Sequence, residues 1–285
     1  MLPKLEPNKP PSFQRPKLIR DMRRELEREA FALRSGTRLR EALAIGEADL
    51  DELIRAGREL PADPYDATGM RSRVYSQVVL CPWNGTLFWL PPFFDAQTGA
   101  PYTTYLQEAS SNPEVGGIER RFAPVPYPLQ ENRAFCTLIR ELWGAIPAWR
   151  AEGRGRAPVL VGSHISNLKS DGRRAAMPSP REIHVDGEPF TFVVLLERTP
   201  NLVGGVSYVA RRHCATKCVE DVSPSDILAE GTLSGPLDTL VVDDAAVSHT
   251  VSGVRTVDGK PGWRIVLFID YSVLKPARTC PPAAK

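Results

Sequence analysis

From residue 157 onward the chain is cut into short extended runs by turn residues, and this punctuation restricts the fold more than any other feature. Val159 to Leu168, His184 to Leu196, Val206 to Ala210 after the Gly204-Gly205 turn, Asp238 to Val242, His249 to Val254 and Arg264 to Tyr271 each have the length of a strand. Many short strands joined by turns close naturally into an antiparallel double-sheet barrel, a jelly roll. The expected class is therefore mostly β with flanking helices around a jelly-roll, cupin-like core.

The preceding half supplies the helices. Residues 1–16 are Pro-rich and read as an extended arm. Leu18, Met22, Leu26, Ala30 and Leu33 recur at helical spacing and predict a helix over 17–34, ended by Ser35-Gly36. Arg38 to Ile45 forms a second helix, and Leu50, Leu53 and Ile54 mark a third before Asp63-Pro64. This 17–60 layer is expected to pack on a sheet within one domain spanning 1–285, with the jelly-roll core over 70–272. Arg71 to Leu80 alternates as a strand, Asn84-Gly85 predicts a two-residue hairpin turn, and Thr86 to Leu90 returns until Pro91-Pro92. Residues 93–128 read as a long irregular loop whose aromatic residues argue for function over disorder. Leu129 to Trp149 is the strongest amphipathic helix, with Phe135, Leu138, Ile139, Leu142, Trp143 and Ile146 on one stripe, closed by the Gly- and Arg-rich stretch from Ala151.

Composition removes several classes. A net charge of +2 gives no field for nucleic acid or an anionic membrane. No apolar run approaches the roughly 20 residues of a spanning helix. The N-terminus has no apolar signal segment, and five unpatterned cysteines suit a reducing compartment, so a cytoplasmic location is expected. His213, Cys214 and Cys218 invite a zinc reading, but no second ligand pair completes four-coordination. Thiols at a loop or strand end are the better reading.

The chemistry concentrates at Glu182-Ile-His-Val-Asp-Gly-Glu-Pro-Phe190. On a strand, His184 and Asp186 share one face. His249, after another apolar run, offers a third ligand. Two histidines and one carboxylate on one face suit non-haem Fe(II) with open coordination positions. Arg264 sits inside the apolar strand Trp263 to Phe268, where an unpaired cation is costly. A carboxylate in a bidentate fork is its natural partner. His164 is expected to support the site from behind or orient a ligand. Asp243 or Asp244 could orient His249, or simply form a turn. Trp263 reads equally well as core.

The order of these pieces resembles the 2-oxoglutarate-Fe dioxygenases of the L-isoleucine 4-hydroxylase type. The resemblance covers roughly residues 70–272. It is carried by Arg71-Ser-Arg-Val-Tyr-Ser76, Tyr105-Leu-Gln-Glu108, Gly116-Gly117, Arg120-Arg-Phe122, Val161-Gly-Ser-His164, His184-Val-Asp-Gly-Glu-Pro189, Asn201-Leu-Val-Gly-Gly205, Pro236-Leu-Asp-Thr-Leu240, Ser248-His249 and Arg264. It implies a double-stranded β-helix fold, Fe(II) on His184, Asp186 and His249, and Arg264 pairing with the distal carboxylate of the co-substrate 2-oxoglutarate. Oxygen would be the oxidant, succinate and CO2 the by-products, and a substrate C–H bond the target. The substrate would be a small molecule, a free amino acid by this resemblance. Hydroxylation is the default outcome, with desaturation or ring closure in a natural-product pathway left open. Arg120, aligned with the family's Arg before Phe, is the first candidate for the substrate carboxylate. The alternative for Arg120 and Arg121 is solvated loop charge. Arg73 and Tyr75 are further candidates. Asn167 stands where relatives carry an Arg three residues after the His matched by His164, which points to altered substrate reading.

Two other classes fit the bare pattern: a non-catalytic cupin-like binding protein, which loss of a ligand or of the Arg would favour, and a cupin-type metal hydrolase or isomerase. The second needs no internal Arg, so Arg264 weighs against it. Oligomeric state is not legible.

Overall fold

A computed structural model describes residues 15–109, 116–147 and 157–273. In chain order the elements are α1 (Lys17–Glu29), β1 (Phe31–Arg34), α2 (Gly36–Leu43), α3 (Glu47–Arg58), β2 (Arg71–Cys81), β3 (Thr86–Trp89), β4 (Phe93–Phe94), β5 (Pro101–Tyr105), β6 (Arg120–Phe122), α4 (Tyr127–Gln130) and α5 (Arg133–Leu142). There follow β7 (Val159–Ser170), β8 (Phe190–Arg198), β9 (Leu202–Gly204), β10 (Val206–Arg211), β11 (Ile227–Thr232), β12 (Thr239–Asp243), β13 (Val247–Val251), β14 (Val254–Thr256) and β15 (Gly262–Val273). A seven-stranded antiparallel sheet runs β1-β12-β8-β15-β7-β2-β3, and a smaller sheet, β11-β10-β13, faces it. The fold is mostly β, a jelly roll with helices on its outer side.

Strand period two divides the large sheet. On β15, Ile265, Leu267, Ile269 and Tyr271 enter the main core with Ile19, Met22 and Leu53 of the helices and Phe135 and Ile139 of α5. The alternate residues turn inward, where Val266 joins Val193, Leu240, Val209 and Val247 in a second core between the two sheets. The helix layer and the sheet thus share one core. Among the described residues no helix is long and apolar enough to cross a membrane.

Several expectations are corrected. The first helix stops at Ala30, whose φ of 65° is left-handed and whose N–H bonds back to Leu26 O. Phe31 to Arg34 then pairs as an edge strand with β12, Ala32 opposite Val241. The sheet edge satisfies these backbone groups, and Leu33 lies outside the helical stripe. The 129–149 helix is two helices: Asn132 Oδ1 accepts from Phe135 N–H at 3.0 Å and starts α5 afresh. α5 ends at Leu142, a short 3-10 turn over Trp143–Ala145 follows, and residues 148–156, including the closing Gly/Arg stretch, lie outside the described residues. The Asn84-Gly85 hairpin closes through four residues, since Cys81 pairs with Thr86; Gly85 sits at φ 72°. The supposed loop over 93–128 contains the three-stranded sheet β4-β5-β6, and β9 and β11 were not anticipated. The expected N-terminal arm lies outside the described residues apart from Arg15 and Pro16.

Candidate metal centre and the cavity around it

His184 does not lie on a long strand with Asp186, as its sequence suggests. It forms an isolated antiparallel bridge with His249, each N–H donating to the other's carbonyl at 2.9 Å. β8 begins only at Phe190. Between them the chain bends at Gly187, whose φ is 81° and whose N–H donates to Asp244 Oδ2 at 2.8 Å. The bend, and not strand alternation, brings the Asp186 carboxylate between the two imidazoles. Its oxygens stand 3.6 Å from His184 Nε2 and 3.3 Å from His249 Nε2. One ligand atom from each residue lies within 4.8 Å of the others, the spread of a three-ligand face.

The hydrogen bonding of His184 suits a ligand role. His184 Nδ1–H donates to Glu182 O at 2.9 Å, which leaves Nε2 free to ligate. Burial opposes ionisation of Asp186, but the neighbouring imidazoles, His249 first, outweigh it and hold the carboxyl well below its usual range. Burial lowers His249, yet Asp186 beside it raises it overall. Asp244 Oδ1 is 3.7 Å from His249 Nδ1, a charge neighbour and not a hydrogen-bond partner. Burial and the charge of Asp186 push Asp244 up to about 7. Asp243 serves the turn, accepting from Ala245 N–H at 3.1 Å.

His184, Asp186 and His249 open into a cavity of about 900 Å3, its open mouth included. Arg264 lines it and is 1% exposed, with Nε and Nη2 buried and unpartnered. Burial and the facing Arg198, its register partner on β8, lower its pKa to about 10. A buried guanidinium with a half-buried one beside it calls for an anion. The donor set and this orphaned cation fit Fe(II) and a carboxylate-bearing co-substrate: two imidazoles and one carboxylate leave half of an octahedron open.

The substrate candidates are sorted differently from expectation. Arg73 lines the cavity, its Nη2 at 2.8 Å from His164 Nδ1. Arg120 is buried, not solvated, but it lies behind the cavity wall. It donates to Gln107 Oε1 and stacks 4.9 Å from the Tyr105 ring centre, so Gln107 and Tyr105 face the cavity in its place. Arg121 is the exposed member of the pair. Tyr75 also stands behind the wall, stacked on His164 at 4.1 Å. Asn167 faces the helix layer, donating to Gly57 O at 3.1 Å, while His164, Ser166 and Leu168 of the same strand line the cavity. An odd step along a strand reverses the side chain, so Asn167 does not replace a cavity residue here.

His164 touches no metal-ligand candidate; it holds Arg73. Burial, then Arg73 and Arg120, push its pKa well down, so it is a neutral acceptor at Nδ1. The residue missed by sequence reasoning is Asp270, buried on the cavity face of β15. The argument that finds Arg264, a charge inside an apolar strand, finds Asp270 as well. Trp263 is half-buried and donates to Glu197 Oε2 at 2.6 Å. Elsewhere, His213, Cys214 and Asp226 approach one another, while Cys218 is exposed and outside that group.

Comparison with known proteins agrees with this geometry. The profile described as 2OG-Fe dioxygenase matches residues 55–270. The chain is 28% identical to 3(1)-hydroxy-L-isoleucine 4-dioxygenase of Pantoea ananatis over 82% of this chain and 85% of that protein. It is 27% identical to L-isoleucine-4-hydroxylase of Bacillus thuringiensis over 40% of this chain and 42% of that protein. Among solved structures, IDO from Bacillus thuringiensis superposes with a TM-score of 0.67 at 20% identity, covering 90% of this chain and all 100% of that one. A bsmA homolog from Methylobium petroleophilum gives 0.71 at 21% identity, over 89% of this chain and 92% of that one. These last two likenesses show the fold. With the family profile spanning most of the sequence, the chain belongs to the 2OG-Fe dioxygenases, enzymes that use Fe(II), 2-oxoglutarate and O2.

Proposed function

We infer that this dioxygenase oxidises a C–H bond of a small, free amino-acid-like substrate, with hydroxylation as the outcome. His184, Asp186 and His249 hold Fe(II), and Arg264 pairs with the distal carboxylate of 2-oxoglutarate. The observation that carries the reading is Arg264: a buried guanidinium with two unpartnered nitrogens facing the same cavity as the three ligands. The amino-acid part is supported by the Pantoea relative, which matches over most of both chains and whose name specifies a hydroxy-L-isoleucine substrate.

Bound iron with 2-oxoglutarate and O2 supplies the oxidising power, releasing succinate and CO2. The chain's own work is placement. The Glu182 carbonyl fixes the His184 tautomer, and the His184–His249 backbone bridge fixes the spacing of both imidazoles. Arg264 anchors the co-substrate from the strand opposite. Val193, Leu240, Val266 and Phe268 give the cavity an apolar wall that excludes water and suits an aliphatic chain.

The test is succinate release by protein reconstituted with Fe(II), ascorbate and 2-oxoglutarate against the twenty amino acids, each positive mixture passing to mass spectrometry. Stimulation with a gain of one oxygen is expected. Intact 2-oxoglutarate binding without stimulation by any amino acid would remove the substrate class, and absence of 2-oxoglutarate binding would remove the role of Arg264.

A further inference from the structure

The cavity carries two ionisable groups that neither the metal centre nor the co-substrate anchor uses. Asp270 is 5% exposed, and its Oδ1 is buried without a hydrogen-bond partner. Its Oδ2 lies 3.7 Å from His164 Nε2, too far for a hydrogen bond. On the other side of the same imidazole, Arg73 Nη2 is 2.8 Å from Nδ1. Among the described residues Arg73 has no carboxylate at ion-pair distance; Asp63 is already paired with Arg71 at 2.6 Å. One ring therefore separates an unpaired cation from a carboxyl that has no ion-pair partner among the described residues, both facing the cavity. An isolated buried charge is strongly unfavourable unless a partner arrives. A guest with an ammonium and a carboxylate on one carbon has the matching charges at about the matching reach, a hydrogen bond at either end included.

We propose that Asp270 and Arg73 form a zwitterion clamp, Asp270 receiving the ammonium of a free α-amino acid and Arg73 its carboxylate, with His164 fixing the spacing between them. The clamp rests on the amino-acid reading above and narrows it: the amine must be free, so N-acylated amino acids and residues within peptides are not substrates. The placement on β15 agrees. Arg264 and Asp270 stand at opposite ends of one inward face, with Val266 and Phe268 between them. The two ends can thus hold different molecules, the co-substrate at Arg264 and the substrate head group at Asp270. Burial, then the negative Asp186 and Glu188, push the free Asp270 carboxyl well up, so without a guest it keeps its proton, and an arriving ammonium favours the carboxylate in its place.

The experiment takes the amino acid that stimulates the wild-type holoenzyme most and compares it with its desamino acid and its N-acetyl derivative. Loss of about 1,000-fold or more in kcat/KM is expected for both analogues, because the desamino acid leaves Asp270 without a donor and the N-acetyl derivative brings a bulky, uncharged amide in place of the ammonium. Equal kcat/KM for the N-acetyl derivative overturns the clamp while leaving the amino-acid reading intact. Absence of stimulation by any amino acid overturns both. In Asp270→Asn the amino-acid KM should rise about 100-fold and the preference over the desamino acid should collapse, with the KM for 2-oxoglutarate unchanged. An undiminished preference overturns the assignment. Calorimetric binding of the same compounds without oxygen reads the discrimination independently of turnover, and the wild-type comparison decides the matter should the variant fail to fold.

Discussion

The two faces of β15 are built from the same twelve residues and do opposite work. Toward the helices stand Ile265, Leu267, Ile269 and Tyr271, all fully buried and apolar except for the Tyr271 hydroxyl, which donates to Ile139 O at 2.7 Å. Toward the cavity stand Arg264, Val266, Phe268 and Asp270, two of them ionisable, buried and incompletely partnered. One face is closed by packing and the other is left electrostatically unfinished. The lesson is that stability and recognition can be separated by a single residue step, because a strand alternates strictly. Unsatisfied charge is tolerated on the inner face because seven strands and the helix layer support the outer one.

Four substitutions can break or sharpen this contrast. The largest effect belongs to the centre that the inner face surrounds: Asp186→Ala should abolish succinate formation while circular dichroism and melting stay those of the folded wild type. Retained turnover would remove the ligand assignment. Arg264→Ala on the inner face should raise the 2-oxoglutarate requirement by a factor equivalent to about 2–5 kcal/mol, the range for truncating one partner of a buried charge pair. Titration of 2-oxoglutarate at fixed amino acid checks this, and an unchanged KM would place the anchor elsewhere. On the outer face, Leu267→Ala should cost about 2–5 kcal/mol of stability by urea denaturation. KM values for substrate and co-substrate should stay near wild type, and a large shift in either would mean that the faces are coupled. The smallest effect is expected for Asn167→Ala, which loses one buried hydrogen bond to Gly57 worth about 1 kcal/mol. Its amino-acid KM should not move; a rise would return Asn167 to substrate recognition.

Legibility followed the range of the interactions involved. The short strands, their turns and the alternation of β15 are local, and they suffice for the jelly roll. The helix over 17–34 failed at Ala30 because the edge of β12, more than two hundred residues away, offered Phe31 to Arg34 better backbone partners than another helical turn. The helix from Leu129 failed for a local reason, since Asn132 is an N-cap residue within an apolar stripe that otherwise reads through it. Asn167 is instructive in another way. Strand parity sets it opposite His164, whereas correspondence with relatives assigns it to the substrate; parity held.

By itself, the sequence determined the fold class and picked out the two histidines, the carboxylate and Arg264 as candidates, because each rests on residue type or order along the chain. Only the tertiary structure decided how the candidate ligands converge and which polar residues reach the cavity. The Gly187 bend and the His184–His249 bridge, not a continuous strand, aim Asp186 at the imidazoles. The sheet of β4, β5 and β6 sets Arg120 behind Gln107 and Tyr105, and the registry of β2, β7 and β15 brings Arg73, His164 and Asp270 together. Those placements depend on pairings between distant segments, and a one-residue slip in any of them would turn each side chain to the other face.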